Sequence, residues 1–243
     1  MEDTPEKVHL LWTGGWDSTY RLLHLLSEGK RVQTHYIVDP GRPSSGYERQ
    51  AMQVIRKEIH DNSERLPGTL LPTVVSEKKR FVQNQSIGDA YQAILKKIYI
   101  GDQYMWLADY CETRGIEGME IGVEENPIFL KEISSAVYPY REIFGKFRFP
   151  ILSVSKVKMK EWAEATGNLA IMELTWFCHR PTDKGQPCGS CHPCEVTIKG
   201  GMAYRFPLKS RIRYHLRVVP RLRSFVKTFP GFYYVLYSLK HNK

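Results

Sequence analysis

One stretch near the N-terminus constrains the fold of this chain more than any other. A strand-like apolar run from Val8 to Trp12 is followed by two glycines and by a segment whose leucines recur at helical spacing. Because glycine lets the backbone turn sharply or take a positive φ, the pattern predicts a strand, a tight turn and a helix N-terminus. Several backbone N–H groups converge at such a turn, and the helix dipole favours negative charge there.

We therefore expect this turn to bind phosphate, and we name it the phosphate cradle. Its residues are Trp12, Thr13, Gly14, Gly15, Trp16, Asp17, Ser18 and Thr19, of which the three hydroxyl side chains add hydrogen-bond donors. The lysine of the G-x-x-x-x-G-K-[ST] motif is missing, so the turn is not a Walker loop. The alternative interpretation is a tight turn in which Asp17 or Ser18 only caps the helix.

The rest of the first 200 residues predicts an α/β fold. Strands are predicted over 31–38, 70–75 and 116–123, and helices over 44–60, 88–100, 104–114 and 155–166. Such alternation is typical of a doubly wound, mainly parallel, Rossmann-like sheet with helices on both faces. Ligands bind beyond the carboxyl ends of the strands in these folds, which is where the cradle would lie.

The net charge of +9 is unevenly distributed. Residues 201–243 contain ten Lys or Arg and no acidic residue, whereas the other 200 residues hold 25 basic and 26 acidic side chains. We therefore expect a nearly neutral domain over 1–200 and a basic C-terminal extension over 201–243. The extension has apolar residues at helical spacing and an aromatic-rich end, and these are Leu208, Ile212, Leu216, Val219, Leu222 and Phe229 to Leu239.

A basic helix followed by aromatic residues suits a nucleic acid, an acidic protein or a membrane surface. The alternative is a helix that packs on the body of the protein and exposes its basic face. No signal peptide or membrane-spanning stretch is apparent, and the cysteine usage favours a reducing cytoplasm.

Four of the five cysteines fall within seventeen residues, at Cys178, Cys188, Cys191 and Cys194. Four thiolates suit a tetrahedral Zn²⁺, and the intervening Pro and Gly permit the tight turns that such a site needs. With all four positions filled, the metal would be structural. We name residues 178–194 the cysteine knuckle. An iron–sulfur cluster is the alternative occupant, while Cys111 lies in an apolar pattern typical of a core residue.

The cradle resembles the S-G-G-x-D-S loop of PP-loop ATP pyrophosphatases, with Thr13 in place of serine. Together, the cradle and the C-x9-C-x2-C-x2-C spacing about 160 residues later resemble the 7-cyano-7-deazaguanine synthase (QueC) family. Three further segments match family patterns, namely Ile121-Gly122-Val123, Phe149 to Lys156, and Leu174 to Cys178.

The resemblance implies an ATP-dependent ligase that forms C–N bonds. ATP would convert the carboxylate of a 7-deazaguanine into an acyl adenylate, and an amine would then attack. In the family a second ATP turns the amide into a nitrile. Asp17 would hold Mg²⁺, while Ser18 and Lys156 would act on the phosphates unless Lys156 is an ordinary surface lysine. The family also suggests a homodimer.

Two departures from the family leave the product open. A family G-R-N stretch corresponds here to Gly101-Asp102-Gln103, and the base-binding loop is altered over residues 124–130. The amine could therefore be ammonia or a group on a protein or nucleic acid. Two further alternatives are a zinc-knuckle nucleic-acid-binding module without ATP turnover and a tRNA-sulfurating pyrophosphatase.

Overall fold

The first strand lies in the middle of a parallel sheet. The computed structural model describes residues 7–78, 82–123 and 137–218. Within them the sheet contains β1 (Lys7–Leu11), β2 (Arg31–Val38), β3 (Thr69–Leu70), β4 (Val74–Glu77), β5 (Met119–Ile121) and β6 (Phe147–Arg148). The order is β3-β2-β1-β5-β6, with β4 also paired to β2, and every pairing is parallel. The predicted α/β class with a parallel sheet is confirmed.

Helices connect these strands. They are α1 (Trp16–Ser27), α2 (Ser45–Asp61), α3 (Gln85–Leu95), α4 (Gln103–Arg114), α5 (Tyr140–Phe144), α6 (Lys156–Ala165), α7 (Leu169–Glu173), α8 (His192–Thr197) and α9 (Leu208–Val218). A π-helical turn at Ile198–Met202 and a 3₁₀ turn at Ala203–Arg205 lie between α8 and α9. In the described ranges, no helix has the length and apolar character needed to cross a bilayer.

The connections place a topological switch point beside β1. From β1 the chain moves to β2 and then outward to β3 and β4, before it returns to the other side of β1 as β5. Leu11 is paired with His35 of β2 on one side and with Ile121 of β5 on the other. Ligands of doubly wound sheets bind where neighbouring strands diverge in this way. The segments that follow β1 and β5 are therefore the expected walls of a site.

Two structural differences correct the predicted strands. The predicted strand over 70–75 is two strands, because Pro72 has no N–H to donate and interrupts the pairing with β2. The predicted strand over 116–123 shrinks to β5, because Gly118 has a φ of +65° that does not fit an extended strand.

The predicted helix boundaries were right except for α3. The sequence predicted a helix over 88–100, but the helix ends at Leu95 and begins at Gln85. It starts after Asn84, whose side chain accepts a hydrogen bond from the N–H of Ser86. A short polar residue of this kind satisfies an otherwise unpaired N–H and so fixes the helix start. Gly115 ends α4 in the left-handed conformation, as its position after the apolar pattern predicted.

One apolar cluster lies around α3, α4, β5, α5 and β6. Cys111 of α4 is fully buried in it, which matches the predicted core role. Burial raises the pKa of the Cys111 thiol to about 12, so this cysteine stays a neutral apolar group. Elsewhere in the same unit, Tyr20 and His24 of α1 contact the ring of Trp162 in α6.

The chain forms two compact units. One contains residues 1–41 and 47–176, and the other contains residues 42–46 and the chain from 177 onward. The cysteine knuckle and α9 belong to the same unit, whereas the predicted boundary at residue 200 stays a prediction. Val219, Leu222 and the aromatic segment from Phe229 to Leu239 lie outside the described residues.

An ion pair fixes α1 against β5. Arg21 donates two hydrogen bonds to Glu120, from Nε to Oε2 over 2.6 Å and from Nη2 to Oε1 over 2.9 Å. Both side chains are largely buried. Removing one partner from such a pair leaves the other charge desolvated and uncompensated.

We expect Glu120→Gln to lower the free energy of unfolding by about 3–5 kcal/mol, because Arg21 would keep its charge without a counterion. Urea denaturation measures the change. The control is Asp61→Asn in α2, which removes an exposed carboxylate from an ion pair with Lys57. An equally small effect of both substitutions would contradict the structural role of the Arg21–Glu120 pair.

Two histidines, of which His35 is buried and His9 is half-buried, form a hydrogen-bonded chain across β1 and β2. His9 Nδ1 lies 2.8 Å from His35 Nε2, and His35 Nδ1 lies 2.8 Å from the hydroxyl of Tyr110 in α4. Burial, with the nearby cations of Arg114 and Lys7 and the second histidine, lowers the pKa of His35 from 6.5 to about 4. The imidazole is therefore neutral in the folded protein near pH 7.

This pKa predicts acid sensitivity. Between pH 6.5 and about 4 the unfolded chain binds a proton at His35 that the folded chain does not, so stability falls as the pH falls. The slope contributed by one such group is at most about 1.4 kcal/mol per pH unit. We expect the free energy of unfolding of His35→Gln, measured between pH 7 and pH 5, to depend less on pH than that of the wild type. His60→Gln, at an exposed position, is the control and should keep the wild-type slope.

Candidate functional site

The phosphate cradle joins β1 to α1 at the switch point. Gly14 has a φ of +67°, and Gly15 is the N-cap of α1 with extended backbone and no side chain to cap it. The first turn of α1 is therefore capped by no side chain, which leaves its N-terminal dipole directed at the space beyond the strands. The predicted strand, glycine turn and helix start all lie where the sequence placed them.

The cradle side chains differ in where they point. Trp12 and Thr19 are fully buried, and Trp12 Nε1 donates to Thr19 Oγ1 over 3.0 Å. Ser18 Oγ accepts from the N–H of Thr13 over 3.4 Å and donates to the carbonyl of Gly15 over 3.3 Å. The Thr19 hydroxyl, which the sequence suggested as a phosphate donor, instead faces the core and fixes the turn. Trp16 is also buried.

Lys156 and Asp17 meet at the cradle. Lys156 Nζ donates to Asp17 Oδ1 over 2.7 Å, although the two residues are 139 positions apart. The side chain of Lys156 is 7% exposed and that of Asp17 is 24% exposed. Ser155 caps α6 by accepting from the N–H of Lys158, so Lys156 is held in the first turn of that helix. The structure thus brings a cation and a carboxylate to the N-terminus of α1.

Glycines allow the close approach that builds this site. A Cβ on Gly122, in the segment after β5, would lie 3.0 Å from the backbone nitrogen of Ser18. A Cβ on Gly14 would lie 2.9 Å from the carbonyl oxygen of Glu48, and its positive φ disfavours a side chain in any case. The segment Ile121-Gly122-Val123 therefore packs directly against the first turn of α1.

Sequence reasoning missed a second support of the cradle. The N–H of Trp176 donates to the carbonyl oxygen of Gly14 over 2.9 Å. The indole of Trp176 stacks on Tyr47 of α2, with ring centroids 4.7 Å apart and an interplanar angle of 18°. The only available signal was the position of Trp176 in the T-x-x-C segment, and nothing in the sequence pointed to Tyr47.

Asp102 lies at the position that corresponds to an arginine in the family pattern, and it is paired with a lysine. Asp102 accepts from Lys78 Nζ over 2.9 Å and from Trp106 Nε1 over 3.2 Å. Lys78 also lies 3.6 Å from Asp39 and 5.0 Å from the centre of the Trp106 ring. A cation is therefore present here, but it comes from the end of β4. The altered loop over 124–130 lies outside the described residues.

The four cysteines of the knuckle form one cluster. All four sulfurs lie within 4.8 Å of one another, and the shortest separation is 3.4 Å between Cys191 and Cys194. Tetrahedral Zn²⁺ with Zn–S bonds of about 2.3 Å requires sulfurs roughly 3.8 Å apart. The donor set and its size therefore fit zinc.

Hydrogen bonds within the knuckle favour the thiolate form of Cys188, whereas they raise the pKa of Cys178 and Cys194. The N–H groups of Ser190 and Cys191 each donate to Cys188 Sγ over 3.3 Å. The pKa of Cys188 is lowered because its sulfur is hydrogen-bonded to Cys178 and the other two thiols, with Ser190 as a further donor. Metal ions bind cysteine as thiolate, so these donors prepare the site for a cation.

The knuckle also holds α9. Ser210 Oγ donates to the carbonyl of Pro187 over 2.5 Å, and Arg213 Nη1 donates to the carbonyl of Cys188 over 2.9 Å. Gly189 has a φ of +72°, and a Cβ there would lie 2.1 Å from the carbonyl oxygen of Ser210. Any larger residue at position 189 would clash with the backbone of α9.

Comparison with protein families supports the sequence-based resemblance. The model of the family described as "Queuosine biosynthesis protein QueC" matches residues 108–204, which include α6 and the cysteine knuckle. This segment of the chain is similar to the QueC family, as a divergent member would be. PP-loop proteins are ATP-using enzymes, so the match supports ATP-dependent adenylation chemistry in general.

Other comparisons are more distant. No curated protein sequence gave a match. A 4-thiouridine synthetase, solved in complex with RNA and bound ATP, is 16% identical with a TM-score of 0.43. The similarity covers 86% of this chain but only 52% of the synthetase, so the chain spans about half of that protein's length.

A predicted tRNA methyltransferase subunit from Methanocaldococcus jannaschii is 14% identical, with a TM-score of 0.35. The similarity covers 83% of this chain and 91% of that one. Neither solved structure assigns a substrate or a partner to this chain.

We expect the protein to bind one zinc ion per molecule and Cys191→Ser to lose it, because three thiolates and a hydroxyl hold zinc less well than four thiolates. Elemental analysis after anaerobic purification measures the metal, and thermal unfolding should show a lower Tm. Cys111→Ser is the matched control, since this thiol lies outside the cluster and should leave the metal in place. Iron in place of zinc would contradict the prediction.

Proposed function

We propose that this protein is an ATP-dependent ligase that activates the carboxylate of a 7-deazaguanine as an acyl adenylate, which an amine then attacks. One observation carries the proposal. A helix N-terminus with no side-chain cap, a carboxylate and a lysine converge at the switch point of a parallel sheet. The QueC family match over residues 108–204 supports the choice of a deazaguanine acid as substrate.

The cradle would act on the leaving pyrophosphate. When an acid oxygen attacks the α-phosphate of ATP, the bond to the bridging oxygen breaks and negative charge develops on the pyrophosphate. Backbone N–H groups at the cradle and the N-terminal dipole of α1 would stabilise that charge without reorganising. The buried bond between Trp12 and Thr19, and the bonds of Ser18 within the turn, would keep these donors in place.

Lys156 and Asp17 would have complementary roles. In the structure each neutralises the other over 2.7 Å. Arriving phosphates would compete for Lys156, while the Asp17 carboxylate would hold Mg²⁺ that bridges the phosphates, directly or through water. Mg²⁺ supplies charge neutralisation when it is bound. Zinc in the cysteine knuckle would have a structural role, because all four ligands come from the protein.

The acceptor amine is the second part of the proposal. Ammonia would give an amide, which a second ATP could convert to a nitrile as in the QueC family. Transfer to an amine of a protein or nucleic acid is the alternative, and the basic helix α9 favours it. A nucleic-acid-binding module without ATP turnover is a third candidate, supported by the same helix.

Product analysis tests these candidates. The protein is incubated with ATP, Mg²⁺, ammonium and 7-carboxy-7-deazaguanine, and mass spectrometry follows the deazaguanine and the adenine nucleotides. Amide or nitrile together with AMP supports the synthase. Formation of an acyl adenylate that persists in the presence of ammonium supports a different acceptor. Absence of AMP and pyrophosphate would contradict the ligase and favour the binding module.

Substitutions at the cradle test the assigned residues. We expect Asp17→Asn and Lys156→Met each to reduce pyrophosphate release by about a hundredfold or more, because each removes a charge that the transition state requires. Lys156→Arg should retain part of the activity, since it keeps the charge. Asp89→Asn and Lys158→Met change exposed residues of α3 and α6 and serve as matched controls. Undiminished release in either cradle variant would rule out its role.

A homodimer, a cytoplasmic location and the division at residue 200 remain part of this proposal. Size-exclusion chromatography with light scattering tests the dimer directly. Limited proteolysis tests the division, because cleavage concentrates in exposed segments between compact units.

A further inference from the structure

Helix α9 exposes two aliphatic side chains and buries a serine, which is unusual for a helix that packs only against its own unit. Leu208 is 68% exposed and Ile212 is 39% exposed, whereas Ser210 is 2% exposed and Tyr214 is 8% exposed. The ordinary arrangement buries the aliphatic stripe and exposes the serine.

Polar contacts explain how α9 is held in this orientation. The bond from Ser210 to Pro187, the bond from Arg213 to Cys188 and the close approach of Gly189 all lie on the inner side of the helix. None of them uses an aliphatic side chain. Hydrogen bonds to the cysteine knuckle thus hold α9 in an orientation that exposes Leu208 and Ile212.

The surroundings of the outward stripe are basic. Lys209 and Arg211 are exposed on either side of Ile212, and His215 lies one turn further along. The sequence contains no Asp or Glu after Glu195, so no acidic residue of α9 offsets these cations. An apolar centre with a charged rim is the arrangement of a protein interface, in which aliphatic anchors supply affinity and rim charges steer the partner.

We propose that the outer face of α9, made of Leu208, Lys209, Arg211, Ile212 and His215, docks an acidic amphipathic segment of another protein. Charge complementarity selects a partner with Asp or Glu beside its own apolar residues. Phosphates of a nucleic acid would be satisfied by Lys209 and Arg211 but would leave the two aliphatic side chains in water. Docking of this kind does not depend on the proposed ligase activity.

A synthetic helical peptide tests the surface on the full-length, metal-loaded protein. Its leucines lie at i, i+4 and i+7, with glutamates on both sides, so that its apolar face is continuous. A second peptide of the same composition has its leucines dispersed around the helix. Fluorescence anisotropy should show that the first peptide binds about tenfold tighter or more, because only a continuous face covers both anchors.

Variants assign the binding to α9. Leu208→Ser with Ile212→Ser should abolish the difference between the two peptides, and Lys209→Glu with Arg211→Glu should weaken binding of both. The control is Arg180→Glu with Lys184→Glu, which makes the same change in net charge at exposed residues of the cysteine knuckle. This control should retain the preference. All these side chains are exposed, and thermal unfolding checks that each variant is folded.

Several outcomes would overturn the proposal. Equal binding of the two peptides, or binding of neither, rules out a protein-docking face with an apolar centre. Binding of a single-stranded oligonucleotide, or of vesicles with anionic lipids, that is tighter than that of the continuous peptide and is lost in the Lys209/Arg211 variant assigns the surface to phosphate or membrane instead. ATP-dependent pyrophosphate release should be unchanged in the α9 variants, so failure here is distinct from failure of the ligase.

Discussion

The close approach of two backbone segments at the switch point is the constraint on which the candidate site depends. Gly122 follows β5 and leaves no room for a side chain against the first turn of α1. Gly14 is similarly confined against α2, and its carbonyl is held by the N–H of Trp176. Buried contacts behind the turn, from Trp12 to Thr19 and from Arg21 to Glu120, keep α1 in that position. The N-terminal dipole of α1 is therefore fixed in direction before any ligand arrives.

Charge is arranged differently in the two compact units. In the first unit the cations near the carboxyl edge are paired, Lys156 with Asp17 and Lys78 with Asp102. If a phosphate replaced the carboxylate, the buried ammonium of Lys156 would keep a counterion, and the freed carboxylate of Asp17 would need a cation of its own. In the second unit the exposed cations of α9 have no acidic residue on the same helix. The proposed function uses the first arrangement for the phosphates of ATP, and the proposed docking face uses the second.

Local patterns predicted much of the fold and the site. The hydrophobic periodicity and the positions of the glycines predicted the boundaries of β1, α1, β2 and α4 to within about one residue, because hydrophobic spacing and helix caps are local signals. The cysteine cluster was predicted from spacing alone and is confirmed as a cluster. The strand over 70–75 was predicted too long, since one proline without an N–H divides it into β3 and β4. Val219 and the aromatic end of the chain lie outside the described residues.

The sequence by itself determined which chemistry is available: a glycine turn before a helix, an aspartate within it, a lysine at a later helix start and four cysteines at zinc spacing. Only the tertiary structure decided which of these groups meet. Lys156 reaches Asp17 because the order of the strands brings α6 and α1 to one edge, and no local pattern encodes a contact between residues so far apart. Likewise, the period of α9 fixed which residues share a face, but the knuckle decided that the apolar face points outward.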